Sequence, residues 1–105
     1  MHARLQERLA AEKRLAVVVQ PRGVMQGPAL TFQVLMGEAH CVSNVIAFLR
    51  KQLCLAADRA LHVYSADDKV LRPRANLLEI SRGCPSEDGF LYLYYSDAPA
   101  FGAAH

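Results

Sequence analysis

Apolar and polar positions along the chain fall into runs with three distinct periods. Leu15-Ala16-Val17-Val18-Val19 is an unbroken, β-branched apolar run, the pattern of a strand buried on both faces. Pro21, Gly23, Gly27 and Pro28 then mark a turn region. From Leu30 to Met36 the period is two. Leu30, Phe32, Val34 and Met36 share one face, and Thr31, Gln33 and Leu35 take the other. Two such runs around a turn-rich link predict a β-hairpin. From Val42 the period lengthens: Val42, Val45, Ile46, Leu49 and Leu53 fall at i, i+3, i+4, i+7 and i+11, one face of a three-turn helix. Arg50 and Lys51 lie in its last turn, where positive charge suits the helix dipole.

The flanking segments are weaker. Residues 3–13 suit a short helix, with Leu5 and Leu9 at i, i+4 among charged neighbours. Leu61 to Ala66 reads as a third strand. Asp67-Asp68 turns it into a short strand at Lys69-Val70-Leu71, which Pro73 ends. Leu77 to Ile80 is a short helix, Ser81 to Asp88 a loop, and Gly89 opens a last strand, Phe90 to Tyr95. From Ser96 onward the side chains become small, and the chain reads as a tail. This order predicts an α+β fold of the ubiquitin-like β-grasp kind. One long helix crosses a mixed sheet of four or five strands, with a short N-terminal helix added. The expected division is 1–13 for the N-terminal helical extension, 14–97 for the domain and 98–105 for the flexible tail.

Composition narrows the function more than it narrows the fold. The 105 residues are room for one domain, and an apolar share of 52% excludes wholesale disorder. Twelve Lys+Arg against ten Asp+Glu leave +2, too balanced for a dense nucleic-acid-binding patch. No run of 18 apolar residues offers a transmembrane helix, and the charged start Met1 to Arg8 lacks a signal-peptide core. The expected setting is cytoplasmic. Cys41, Cys54 and Cys84 are odd in number and widely spaced, and the four histidines have no zinc-ligand spacing. Free thiols, no metal and no cofactor are expected. Cys41 with His62 or His105 makes a nucleophile–base pair on paper only, and no hydrolase or phosphate-binding motif occurs, so no enzyme is expected. Phe90, Tyr92, Tyr94 and Tyr95 read as core and sheet surface. One feature of the tail carries chemistry. Gly102 lacks a Cβ, so a carboxylate there can thread a narrow channel and be transferred to an amine with little steric penalty.

The run Ser86-Glu87-Asp88-Gly89-Phe90-Leu91-Tyr92-Leu93-Tyr94-Tyr95-Ser96-Asp97, ending in Phe101-Gly102, resembles the C-terminus of the autophagy ubiquitin-like modifiers. These are the GABARAP and light-chain-three type proteins, the eighth of the autophagy-related series. Phe48 to Leu53, Leu55 to Leu61, Val70 to Pro73 with Leu77-Leu78, and more weakly Glu12 to Val19, resemble further family segments in order. The resemblance spans about 14–102. It implies a β-grasp fold, trimming after Phe101-Gly102 by a cysteine protease, and ATP-dependent activation by the family's activating and conjugating enzymes. It further implies linkage to phosphatidylethanolamine on autophagosome membranes, the only membrane association expected. It also implies docking of aromatic-x-x-aliphatic peptides at the second strand's edge. Position by position, the aromatic pocket would use Val18, Leu35 and Phe90 with Arg14 nearby, and the aliphatic pocket Val34, Met36, Val45 and Phe48.

Several positions depart from the family pattern. The second strand's usual Lys-Lys-Tyr is Phe32-Gln33-Val34, its first-strand proline is Ala16, and its aliphatic-pocket leucine is His40. There is room for one helix before the first strand where the family usually has two. A sister family, the twelfth autophagy-related protein, also resembles the chain through its aromatic-glycine ending, here Phe101-Gly102. Its members are joined to a lysine of a partner protein. A non-conjugated β-grasp interaction module is the remaining alternative.

Overall fold

The computed structural model describes residues 14–23, 29–56 and 59–97. The helix expected over 3–13 and the tail 98–105, with Phe101 and Gly102, lie outside them. The described elements are β1 (Arg14–Pro21), β2 (Phe32–Gly37), α1 (Val42–Gln52), β3 (His62–Tyr64), α2 (Leu77–Gly83) and β4 (Leu91–Ser96). The strands form one mixed sheet in the order β2-β1-β4-β3. β1 pairs antiparallel with β2 and parallel with β4, and β4 pairs antiparallel with β3. This is the α+β arrangement of a ubiquitin-like β-grasp, with two helices among the described residues.

The hairpin and the long helix follow the periods that predict them. β1 and β2 pair in the register Ala16 to Leu35 and Val18 to Gln33. In α1, Val42, Val45 and Leu49 are the buried face, as the i, i+3, i+7 spacing requires. They pack with Val17, Val19, Val63, Leu77, Leu91, Leu93 and Tyr95 into the core. Each such side chain, fully removed from water, contributes roughly 1.5–3 kcal/mol. α1 starts where the Asn44 side-chain oxygen accepts from the Cys41 backbone N–H at 2.9 Å, one of the bonds a helix start leaves open.

β1 is buried on both faces: Val17 and Val19 face α1, while Ala16 and Val18 are buried without joining that core cluster. The third strand is shorter than its sequence pattern. Past Tyr64 the chain folds back through Asp67-Asp68, with Leu71 N–H bonded to Val63 O at 2.8 Å and Ser65 N–H to Lys69 O at 2.9 Å. Arg22 clasps this turn, its Nε 2.5 Å from Asp68 Oδ1 and its guanidinium 4.2 Å from the centre of the Tyr64 ring. The bond to Arg22 holds the Asp68 carboxyl below its ordinary range and raises the guanidinium in turn.

Two boundaries differ from the sequence pattern. α2 runs on through Ser81 and Arg82 to Gly83, where a loop is expected. Asn76 caps it by accepting from Glu79 N–H at 3.1 Å, and also donates to Glu38 O at 2.9 Å, tying α2 to the end of β2. Ser96 and Asp97 are not the start of a tail. Ser96 ends β4, and both residues are buried. The Asp97 carboxylate accepts from Arg59 Nη2 at 3.0 Å, which lets a charged residue sit inside the fold.

Candidate functional site

The site begins with strand parity. Successive side chains on β2 point to opposite sides of the sheet. Phe32, Val34 and Met36 face α1, where Phe32 and Phe48 meet edge to face with centroids 5.4 Å apart. Gln33 and Leu35 face the other way and are exposed. β2 is also an edge strand, and no described strand flanks its outer side.

On the face away from α1, the register builds a row across three strands. Leu35 lies opposite Ala16. Val17 lies opposite Leu91 in the parallel pair, so Phe90, one residue earlier, comes alongside Ala16. A large side chain thus stands on each side of a methyl group. The gap is a cavity of about 220 Å³, open at the surface and lined by Ala16, Val17, Gln33, Val34, Leu35 and Phe90. Leu35 is 48% exposed at its margin, and Leu30, just before the strand, is also exposed.

Phe90 is held by the turn that precedes β4. Asp88 Oδ1 accepts from Ser86 Oγ at 2.9 Å and from Phe90 N–H at 3.0 Å. Its Oδ2 accepts from the Tyr92 hydroxyl. Ser86 has a single hydroxyl proton, which is shared between Asp88 Oδ1 and Phe90 O, and Gly89 takes φ +79°, a value that favours glycine. The bond to Asp88, with desolvation second, pushes the Tyr92 phenol above its ordinary pKa.

The expected docking residues divide. Leu35, Val34 and Phe90 come together at the cavity. Val18 is buried one step along the same face of β1, and Arg14 is exposed opposite Gly37. Val34 and Phe48 are partly buried on the α1 side. Met36 and Val45 are core residues, 8% and 0% exposed, so they are sealed between the sheet and α1 and line no open pocket. Sequence reasoning did not place Ala16, Val17 and Gln33 among the lining residues, nor Asp88 as the residue holding the turn. Only the Asp-Gly pair at 88–89 carried a local signal, that of a turn.

The remaining candidates stay apart from this cavity. Cys41, Cys54 and Cys84 are free thiols. His40 Nδ1 accepts from Gly37 N–H at 2.7 Å and shapes the turn after β2. Among the described residues, no cluster of His, Cys, Asp and Glu could hold a metal ion, and no helix is long and apolar enough to cross a membrane.

Comparison with known proteins agrees with this fold. Residues 6–102 match the sequence model of the family described as autophagy protein Atg8, ubiquitin like. Autophagy-related protein 8e of Arabidopsis thaliana is 34% identical over 64 residues, which cover 60% of this chain and 51% of that protein. The aligned stretch therefore spans about half the length of that relative. The crystal structure of Trypanosoma brucei ATG8 superposes with a TM-score of 0.75 at 32% identity, over 90% of this chain and 80% of that one.

Proposed function

Because the chain belongs to the Atg8 family of ubiquitin-like autophagy proteins, we propose that it is a modifier whose Gly102 carboxylate becomes joined to phosphatidylethanolamine. The observation that carries this reading is the family match, which runs to Gly102 and covers the Ser86–Asp97 segment that leads to it. A cysteine protease cuts after Gly102 and releases Ala103-Ala104-His105. ATP-dependent activation of the freed carboxyl by the family's activating and conjugating enzymes follows, and an amide bond then forms to the lipid amine. With no Cβ at Gly102, the activated carboxyl is open to attack on both sides. Phe101 is the residue before the cut. The chain is the substrate of these enzymes and has no catalytic role itself. It is cytoplasmic when free and on the autophagosome membrane when conjugated.

The second half of the proposal concerns recruitment. The β2 edge adds a strand from a short peptide receptor, whose aromatic residue enters the cavity between Leu35 and Phe90. In an extended peptide, residues three apart point to opposite sides. An aromatic-x-x-aliphatic segment on this edge therefore sends its aromatic residue to the cavity and its aliphatic residue to the Val34–Phe48 side. Edge strands with unpaired backbone groups take such partners readily. The substitution Gly102→Ala tests the conjugation: every covalent adduct in cells should disappear, and adducts that persist would refute it.

A further inference from the structure

We infer that Asp88 is a positioning residue for the docking cavity, holding the Phe90 ring as the wall that faces Leu35 across Ala16. The inference rests on the reading that this cavity receives an aromatic anchor.

Phe90 precedes β4, and the β1–β4 pairing starts only at Leu91. Its ring is therefore placed from the 86–92 turn and not by the named strand pairing alone. Within that turn, three groups converge on one carboxylate: Ser86 Oγ, Phe90 N–H and the Tyr92 hydroxyl. Two lie on either side of Phe90 in sequence and one is its own amide. The carboxylate accepts on both oxygens, so it links the start of the turn, the wall residue and the first outward-facing residue of β4. Hydrogen bonds to an ionised acceptor are stronger and more directional than neutral ones, and a network sharing one acceptor stiffens as a unit. The rotamers open to a side chain depend on its backbone φ and ψ, so the turn bonded to the Phe90 amide helps set where its partly buried ring stands. A wall of fixed position spares an incoming aromatic residue the cost of ordering its own pocket.

Three variants of the full chain separate this role from simple stability: Asp88→Ala, Asp88→Asn and Arg22→Ala. The last breaks an ion pair that does not involve the cavity. Three-bond couplings of Phe90 report its χ1 populations in the free protein. Affinity is read with a 12-residue peptide carrying a Trp-x-x-Leu core, and stability from the thermal midpoint. Asp88→Ala should turn a single Phe90 rotamer into an average over the staggered wells and weaken the peptide roughly tenfold. Asp88→Asn keeps an oxygen for the Phe90 amide and an NH₂ that can donate to Tyr92. It should hold the rotamer and stay within about threefold of the natural affinity. Arg22→Ala should change neither.

Unchanged couplings in Asp88→Ala, or averaged couplings with unchanged affinity, would overturn the inference. If Asp88→Ala does not fold, Tyr92→Phe and Ser86→Ala decide the matter. Each removes one donor and should loosen Phe90 in part, and fixed couplings in both would overturn it. If the natural protein binds no peptide while the couplings follow Asp88, the docking reading fails and the turn's control of Phe90 stands.

Discussion

Leu35 and Met36 are neighbours in the chain and lie on opposite sides of the sheet. Leu35 is 48% exposed beside the cavity, whereas Met36 is 8% exposed in the core. One residue of register separates a surface role from a structural one. Leu35→Asp should weaken peptide binding at least tenfold while changing stability by less than about 1 kcal/mol, as exposed substitutions do. Met36→Asp buries a carboxylate without a partner and should cost more than about 3 kcal/mol. Calorimetric binding and urea melts of the two variants check the contrast. Equal loss of stability in both would show that Leu35 is also structural.

Ala16 sets the depth of the cavity. Its methyl group lies between Leu35, its β1–β2 partner, and Phe90. Ala16→Val adds two methyl groups at that floor with a residue that suits a strand. Peptide affinity should fall about tenfold with stability changed by less than about 1 kcal/mol. Titration of the same Trp-x-x-Leu peptide reads the effect, and unchanged affinity would place the anchor elsewhere.

The chain read plainly where a period of several residues could be counted. The β1 run, the β2 alternation and the α1 face all follow their spacing, because β2 and α1 each turn one face to the core and β1 is buried on both. Parity also told which side of β2 Met36 takes. It could not tell that α1 seals that side, since closure depends on Val45 and Leu49 arriving from a distant segment. Ala16 was illegible for a related reason: a small residue marks a cavity only once its cross-strand neighbours are known to be large. Ser96 and Asp97 read as the start of a tail because Pro99, Gly102 and small residues follow them. Arg59, far away in sequence, donates to the buried Asp97 carboxylate, a contact no local pattern announces. The Asp88 hub was half visible as an Asp-Gly turn, but its link to Phe90 needed the fold.

The Arg59–Asp97 pair gives a further expectation. Asp97's side chain is fully buried, while Arg59's is 39% exposed. Arg59→Met keeps the apolar stem and removes the charge beside a buried carboxylate. The loss should be about 1–2 kcal/mol, less than for a wholly buried pair because water reaches the arginine. That lowers the melting temperature by roughly 4–8 °C per kcal/mol for a domain of this size. A shift under about 2 °C would assign the burial of Asp97 to its other neighbours.

Tyr92 makes stability sensitive to alkali. Its pKa is raised in the folded state, first by the bond to Asp88. The folded protein therefore keeps the phenol proton at a pH where the unfolded chain releases it. The contribution is complete below about pH 10 and is lost as pH rises through the folded value. Tyr95, raised by burial, acts in the same direction. Urea midpoints from pH 8 to 11 should fall more steeply for the natural protein than for Tyr92→Phe, with the residual slope due to Tyr95. Parallel slopes would show that Tyr92 titrates alike in both states.

The central claim is that Gly102 is a covalent attachment point. Intact mass spectrometry of the protein from its own cells during starvation, with and without lipase treatment, tests it most directly. The expected species has lost Ala103-Ala104-His105, ends at Gly102 and carries a lipase-sensitive adduct. Gly102 in isopeptide linkage to a lysine of another protein would contradict the lipid linkage and favour the protein-linked type. A mass that still includes His105, with no adduct at all, would contradict conjugation and leave a ubiquitin-like binding module.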